Sequence, residues 1–386
     1  MLHSNISKIF SVFLLFYSLA FSANASYIFI PMNEKQSNHL KAYGIAYYAI
    51  QRDVKVDWLL NYQGGSFLIK QHSLIENECN IRGVSYQLIA DVKSTKILES
   101  ITSPEVNQDI VRLQKAPKIA IYSPNNKQPW DDAVTLALTY AEIPYEIIYD
   151  EEVLSNLLPL YDWLHLHHED FTGQYGKFYA SFKNATWYKE QKKNYEILAK
   201  KLGYEKVSTE KLAVAKKIKE FVSSGGFLFA MCSATDSYDI ALAAEGIDIC
   251  GPMFDGDAAD LDAQERLDFS KTLAFKDFSL VRNPNQYEFS SVDATQRRKI
   301  NPKVDFFTLF EFSAKWDPIP TMLCQNHMQV IKGFMGQTTA FRNEYIKSDV
   351  LIMGETKATN EARYIHGKLG NGTWTFYGGH DQHLHY

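Results

Sequence analysis

The chain has 386 residues, 46% hydrophobic and 22% charged, with a formal net charge of −5. That balance is globular, and the negative charge argues against a general nucleic-acid binder, which needs a basic face. Aromatic residues reach 14%, enough to pack a large core and still leave rings for carbohydrate-facing surfaces.

The N-terminus reads as an address. Lys8 precedes the apolar run Ile9 to Phe21, and Ala23-Asn24-Ala25 offers a small-x-small cleavage site before Ser26. Residues 1–25 therefore have the form of a secretory signal peptide, too short for a membrane span. No cysteine follows the site, so a lipid anchor is not expected, and no later stretch is long and apolar enough to cross a bilayer. The mature protein is expected to be exported and soluble, and periplasmic if the source is Gram-negative. Its four cysteines, Cys79, Cys232, Cys250 and Cys324, allow three complete pairings in an oxidising compartment.

The mature chain, about 360 residues, suits one large or two medium domains. Residues 26–115 read as an N-terminal α/β region. A strand, Tyr27 to Met32, is stopped by Pro31; a helical stretch follows from His39 to Gln51. A second strand spans Val54 to Tyr62, and Gly64-Gly65 turns into Ser66-Phe67-Leu68-Ile69. This is a βαβ extension, with residues near Ser94 to Lys115 as a connector. The form returns at Lys118 to Pro124 (strand), Asp131 to Ala141 (helix) and Tyr145 to Asp150 (strand). A duplicated opening and chance similarity account for this equally well.

Tyr161 to Asp170 runs from a strand into a loop that carries His165, His167, His168, Glu169 and Asp170. Lys183 to Lys201 is a Lys-rich helical stretch with a solvated face. Glu210 to Phe221 is an amphipathic helix ended by Ser223-Ser224-Gly225-Gly226. Helices and strands alternate, which predicts a doubly wound, mostly parallel α/β sheet with ligands at the carboxyl ends of its strands. After Gly225-Gly226 the apolar run Phe227 to Met231 ends at Cys232, and a helical pattern opens at once. Strand, tight turn with a nucleophile, helix is the layout of a nucleophile elbow, with the small residues Ala230 and Ala234 flanking the turn. The plain alternative is a buried cysteine at a strand end. Phe254 to Asp260 is acidic but lacks the spacing of a calcium loop, so it reads as solvated. A β-rich insertion is expected around 280–312, with late strands at Tyr345 to Gly354 and Arg363 to Lys368. The last strand runs into Gly378-Gly379-His380-Asp381, and the chain stops five residues after Asp381 as if cut short.

Two chemistries suit these residues. A cysteine with a histidine base attacks an amide or ester carbonyl, and backbone N–H groups after Cys232 would hold the oxyanion. Alternatively His165, His167, His168 and His380 could bind Zn²⁺ for hydrolysis, with His383 and His385 near by. The bland reading is a polar strand end with solvated histidines.

The elbow with Cys232 and the late Gly-Gly-His resemble the class I glutamine amidotransferase-like fold, which is flavodoxin-like, over residues 116–386. More closely, the segments Ile30 to Tyr47, Asp162 to Gly176 and Met231 to Asp236 look like a family of exported bacterial proteins commonly labelled asparagine synthetase B. Asparagine synthesis itself is not expected, because the chain lacks an N-terminal cysteine after Ala25 and an SGGxDS loop. The fold resemblance implies Cys232 as nucleophile, His380 as base and Glu169 or Asp381 to orient it. His165, His167, His168, Asp170, Ser233 and Asp381 would contact a small-molecule, glycan or peptide substrate, with no cofactor. The sequence departs from the pattern where Ala230 and Ala234 replace glycines and Gln382 replaces a glutamate. Trehalose-utilisation-like proteins, which share the Gly-Gly-His-Asp ending, imply a non-catalytic glycan-binding alternative.

Overall fold

A computed structural model describes residues 25–124, 133–294, 305–325, 327–334, 336–356 and 359–379. The signal-peptide reading and the residues His380 to His385 lie outside the described residues. The chain divides into two units: Met1–Gln114 with Ser313–Trp316, and Lys115–Phe312 with Asp317–Tyr386. Among the described residues no helix is long and apolar enough to cross a membrane.

In the first unit, strands β1 (Ala25–Ile30), β2 (Val56–Leu60), β3 (Ser66–Lys70), β4 (Gln87–Ala90) and β5 (Asp109–Leu113) form one sheet. Their order is β4-β1-β3-β2-β5, every neighbouring pair antiparallel. Helix α1 (His39–Ile50) does link β1 to β2, but β3 lies between them, so the expected βαβ unit is a split one. The cause is the turn at residues 61–65, where Asn61, Gln63, Gly64 and Gly65 all have positive φ and fold β3 back on β2. A side chain on Gly64 would meet the Met32 carbonyl oxygen at 2.3 Å, so only glycine fits there. Helix α2 (Ser73–Arg82) leads into β4. The expected connector is instead helix α3 (Asp91–Thr102) followed by β5. Ser94, Ile97 and Ile101 bury one narrow stripe of α3 while most of its other residues are polar, which hides a helix whose spacing is otherwise regular.

The second unit is built on a large mixed sheet. Strands β6 (Ile119–Tyr122), β7 (Glu146–Ile148), β8 (Trp163–Leu166), β9 (Phe227–Met231) and β15 (Gly372–Tyr377) pair in parallel, in the order β7-β6-β8-β9-β15. Strands β14 (Glu361–Leu369), β13 (Leu351–Thr356), β10 (Phe306–Leu309) and β11 (Val330–Lys332) continue it antiparallel, with β12 (Phe341–Arg342) on β14. The sheet is thus half parallel and half antiparallel, since β13, β14 and β15 follow one another through short turns that allow only antiparallel pairing. The first and second openings of the chain differ in topology: β6 and β7 are parallel neighbours joined through helix α4 (Ala133–Ala141), whereas β1 and β2 are separated. A common origin therefore has no support in their pairing. In the expected β-rich insertion, Leu280 bridges Ser290 and β10 joins the sheet.

Alternation along β6 shows how the helices cover both faces. Ile119 and Ile121 pack with Leu138 of α4, while Ala120 and Tyr122 pack with Val153 of α5 (Asp150–Leu154) and Val214 and Ile218. The latter two belong to α8 (Val207–Ser223), which follows α6 (Tyr179–Phe182) and α7 (Thr186–Lys201). Helix α9 (Asp236–Ala243) opens after the turn at Cys232 and is wholly buried. Its Asp239 carboxylate accepts backbone N–H bonds from Leu273, Ala274 and Phe275 at 2.7, 2.7 and 2.9 Å. That one side chain fixes a segment with no strand of its own. Asp239→Ala leaves three buried donors unpaired and is expected to cost about 3 kcal/mol or more, read as a lower urea midpoint; an unchanged midpoint would show that water replaces the carboxylate.

Candidate functional site

The parallel strands reverse their order between β6 and β8. A cavity of about 490 Å³ opens at this point, lined by Pro124 after β6 and by His168, Glu169 and Asp170 after β8. Its other walls come from the 175–178 turn and from α7, with Trp187, Glu190, Gln191, Asn194 and Tyr195. Open α/β sheets place ligands at such a switch point because no crossover helix covers it.

The predicted site residues separate into distinct roles. Glu169 is buried at the cavity wall. Asp170 also borders the cavity, but its carboxylate is committed to the loop: it accepts bonds from Thr172 N and Oγ1, both at 2.6 Å, and from Gly176 N at 2.9 Å. Burial raises its pKa against those bonds. His165 is fully buried in β8, its Nδ1 3.1 Å from the Phe229 carbonyl oxygen and its ring stacked on Phe229. It is a core residue, not a cavity-lining ligand. His167 lies on the same strand face, its ring centre 6.3 Å from that of His165 and 4.1 Å from that of His168. Ser233 Oγ donates to the His168 carbonyl at 3.0 Å, so it ties the end of β9 to the end of β8. Ser233 and His165, expected to contact substrate, make these bonds within the protein. His380 and Asp381 lie outside the described residues.

Cys232 does sit on the turn between β9 and α9, with φ 53°. That left-handed backbone is uncommon for a residue with a side chain, and it is the strained geometry an elbow requires. The sulfur is not set up as the elbow reading expects. Cys232 is 5% exposed, is absent from the cavity lining and donates its S–H to the Gln337 carbonyl at 3.0 Å. Burial pushes the thiol up to about 12, with Asp293 and Asp236 adding to the rise against the Ser233 amide. None of the pairings that four cysteines allow is formed among the described residues: Cys79, Cys232, Cys250 and Cys324 are all free and all buried.

The expected zinc ligands do not assemble among the described residues. The group found with metal-compatible spacing there is Asp248, Cys250 and Asp255. An ammonium already fills it: Lys206 Nζ lies 2.5, 3.0 and 2.6 Å from carboxylate oxygens of Asp248, Asp255 and Asp257. The acidic loop expected to be solvated is thus partly an ion-pair network around Lys206.

Beneath the cavity lies a polar cluster that sequence reasoning missed. Lys211 Nζ donates to Asp150 Oδ2 and Oδ1 at 2.7 and 2.9 Å and to the hydroxyls of Tyr122 and Tyr149, both at 2.9 Å. Tyr122 donates to Asp150. Burial works against the charge of Lys211, but Asp150 and Glu210 outweigh it and hold the pKa above the usual lysine range. Neighbouring Glu210 is pushed up to about 8 by burial and by Asp150, with Lys211 opposing. The signal was present: Val207, Glu210, Lys211, Val214, Ala215 and Ile218 are buried at helical spacing, so two charged residues stand in an apolar stripe.

No known protein family's sequence profile matches the chain, and no characterised protein matches it in sequence. Several solved structures show a distant likeness. A GH42 β-galactosidase from G. stearothermophilus is 12% identical over 68% of this chain, with a TM-score of 0.28. The chain spans 27% of that enzyme's length. Cytoplasmic protein STM1381 from Salmonella typhimurium LT2 is 11% identical, with 69% of this chain and 89% of that one covered and a TM-score of 0.32. Cytoplasmic protein STM3548 from Salmonella typhimurium is 10% identical, with 67% and 86% covered and a TM-score of 0.31. Likeness of this size carries no argument about activity.

Two outcomes follow from the buried groups. A thiol reagent at pH 8 is expected to modify none of the four cysteines rapidly in the native protein and all four in guanidinium; one fast native thiol at Cys232 would restore it as a nucleophile. Glu210 holds its proton to about 8 when folded but releases it near its ordinary value of about 4.3 when unfolded. Its contribution to stability is therefore greatest in acid and declines as pH rises through that window. Glu210→Gln should flatten the pH dependence of the urea midpoint between those values; identical slopes in both proteins would refute the assignment.

Proposed function

We propose that the protein is an exported glycan-binding protein whose ligand occupies the cavity between the ends of β6 and β8. Numbered along the second unit, the parallel strands run 2-1-3-4-5, which supports the flavodoxin-like, class I glutamine amidotransferase-like reading of residues 116–386. Export rests on residues 1–25, and the resemblance to the exported family labelled asparagine synthetase B accords with it.

The observation that carries the ligand class is a cluster of partly exposed rings, tilted or edge-on to one another, of which Phe178 and Trp187 line the cavity. Trp187 and Phe182 are 45% and 41% exposed, with ring centres 5.1 Å apart, and Phe178 packs against both at 5.8 and 6.1 Å. Tyr287, 41% exposed, adds a fourth ring 5.9 Å from Phe178. Exposed rings in contact with one another are costly unless something covers them. A sugar ring suits them because it has an apolar face for stacking and hydroxyls for the polar groups that line the same cavity, here Glu169, Gln191 and Asn194. Trp187→Ala is expected to weaken retention on a panel of oligosaccharides and muropeptides by about tenfold with an unchanged melting temperature. Absence of any glycan retention by the natural chain, or retention indifferent to Trp187, would end this reading.

The left-handed backbone of Cys232 favours a second reading, a hydrolase of amides or related carbonyls with His380 as base and Glu169 or Asp381 orienting it. It requires the thiol to leave the Gln337 carbonyl on substrate binding. Amide hydrolysis lost in Cys232→Ser would establish it, and activity retained in that variant would dismiss it.

A further inference from the structure

Two pieces of chain that no sheet pairing joins meet beside the cavity. One is the 175–178 turn, where Tyr175, Gly176 and Lys177 have φ 54°, 69° and 56°. It supplies Tyr175, Gly176 and Phe178 to the cavity lining. The other is the 281–289 loop, closed at its base where Val281 N donates to the Phe289 carbonyl at 2.9 Å. It carries Tyr287, whose ring centre lies 5.9 Å from that of Phe178. Left-handed backbone at two non-glycine residues is costly and persists only where the surroundings impose it.

Two buried side chains tie these pieces together. The Lys177 ammonium donates to the Val281 carbonyl at the base of the loop. Gln337, 3% exposed, reaches both pieces at once: its Nε2 donates to the Gly176 carbonyl at 3.3 Å and to the Tyr287 carbonyl. An amide nitrogen has two hydrogens, one for each acceptor. Chemistry fixes which way the amide points, because an oxygen in that place would face two carbonyl oxygens and donate to neither. The backbone at Gln337 is anchored in turn. Its carbonyl accepts the Cys232 S–H at 3.0 Å. Thr338, in left-handed backbone, donates from N to Asp293 and from Oγ1 to Asp236, both at 2.8 Å. Cys232 follows β9 and Asp236 opens α9, so the fixed point is the strand end in the sheet.

We infer that Gln337 is the positioning residue of this wall, its one side-chain amide holding the 175–178 turn and the 281–289 loop together and so setting the Phe178 and Tyr287 rings where a ligand meets them. Gln337 is absent from the cavity lining and acts through the two carbonyls it holds. On the glycan reading above, on which this rests for its ligand, losing the amide frees both rings, and each binding event must order them again. Lys177 still ties the turn to the base of the loop, so variants at position 337 are expected to fold.

The full chain is compared with Gln337→Met, which has no donor, and Gln337→Glu, which donates only when protonated. Amide hydrogen exchange without ligand is the first readout. Both variants should exchange faster at residues 174–178 and 281–289 at neutral pH and unchanged elsewhere; unaltered exchange there, or a rise spread over the whole unit, overturns the inference. Calorimetric titration with a tetramer of β-1,4-linked N-acetylglucosamine is the second. Gln337→Met should bind about tenfold more weakly, the scale of two hydrogen bonds. Lys177, Cys232, Asp236, Tyr287, Glu288 and Asp293 titrate near position 337 in every protein compared, so affinity is taken relative to the natural chain at each pH. For Gln337→Glu that relative affinity should fall as pH rises from 5 to 9 and its carboxyl loses the donating proton, while for Gln337→Met it stays flat. Faster local exchange with undiminished affinity, or equal pH profiles in the two variants, overturns the positioning role. No binding of the tetramer by the natural chain counts against the glycan reading; the exchange result then upholds or overturns the role of Gln337 by itself.

Discussion

The second unit depends on one buried charge. Lys211 and Asp150 meet with side chains 2% and 1% exposed, where an unpaired ammonium could not remain. Three elements contribute to its shell: Tyr122 from β6, Tyr149 and Asp150 from the start of α5, and Lys211 itself from α8. Two well-packed apolar side chains could hold these elements as strongly, but breaking such a pair typically costs about 3–5 kcal/mol. The pair therefore specifies an arrangement more than it adds stability. It locks β6, α5 and α8 into one relation, and that relation is the floor of the cavity at the switch point.

Above that floor the backbone is held in conformations it would not choose. Tyr175 and Lys177 have φ 54° and 56°, Cys232 53° and Thr338 53°, each worth about 1–3 kcal/mol of local strain. Side chains hold them there. Asp170 gathers the 172–176 turn, and the Gln337 amide donates to the carbonyls of Gly176 and Tyr287. Thr338 N donates to Asp293 at 2.8 Å, and Thr338 Oγ1 donates to Asp236 at 2.8 Å. Lys177, buried beside these groups with its ammonium on the Val281 carbonyl, has its pKa lowered to about 8 by burial. Strain concentrated at one edge of a sheet is what a pre-organised binding wall looks like; a wall free to relax would lose affinity each time it reordered.

Much of the parallel core was legible, because its strands are short apolar runs closed by proline, glycine or a polar loop, as at Pro124 and Gly225-Gly226. What the pattern could not convey was direction. An apolar run pairs equally well with a parallel or an antiparallel neighbour, so the Gly64-Gly65 turn into β3 was legible while the place of β3 between β1 and β2 was not. The elbow turn was legible at Cys232, since two alanines around one cysteine leave room for a tight bend. Its chemistry was not, because the Gln337 carbonyl that caps the thiol is 105 residues away. At His165 and Asp170 residue type advertises chemistry, while bonds to Phe229, Thr172 and Gly176, which the sequence does not show, occupy the side chains. Trp187, Gln191 and Tyr195 were hidden in a helix whose lysines mark it as solvated, although one side of α7 faces the cavity.

The four buried thiols have a consequence for durability. Disulfide exchange and peroxide oxidation both proceed through the thiolate, not the thiol. With Cys79, Cys232 and Cys324 each pushed up to about 12 by burial, the folded chain holds these thiols in the unreactive protonated form at pH 7. A folded chain with unpaired cysteines can then persist among oxidants that would cross-link its unfolded form within minutes to hours. The hazard is confined to the interval before the core closes, so the speed of folding, more than the redox poise around the finished protein, decides how much of it survives intact.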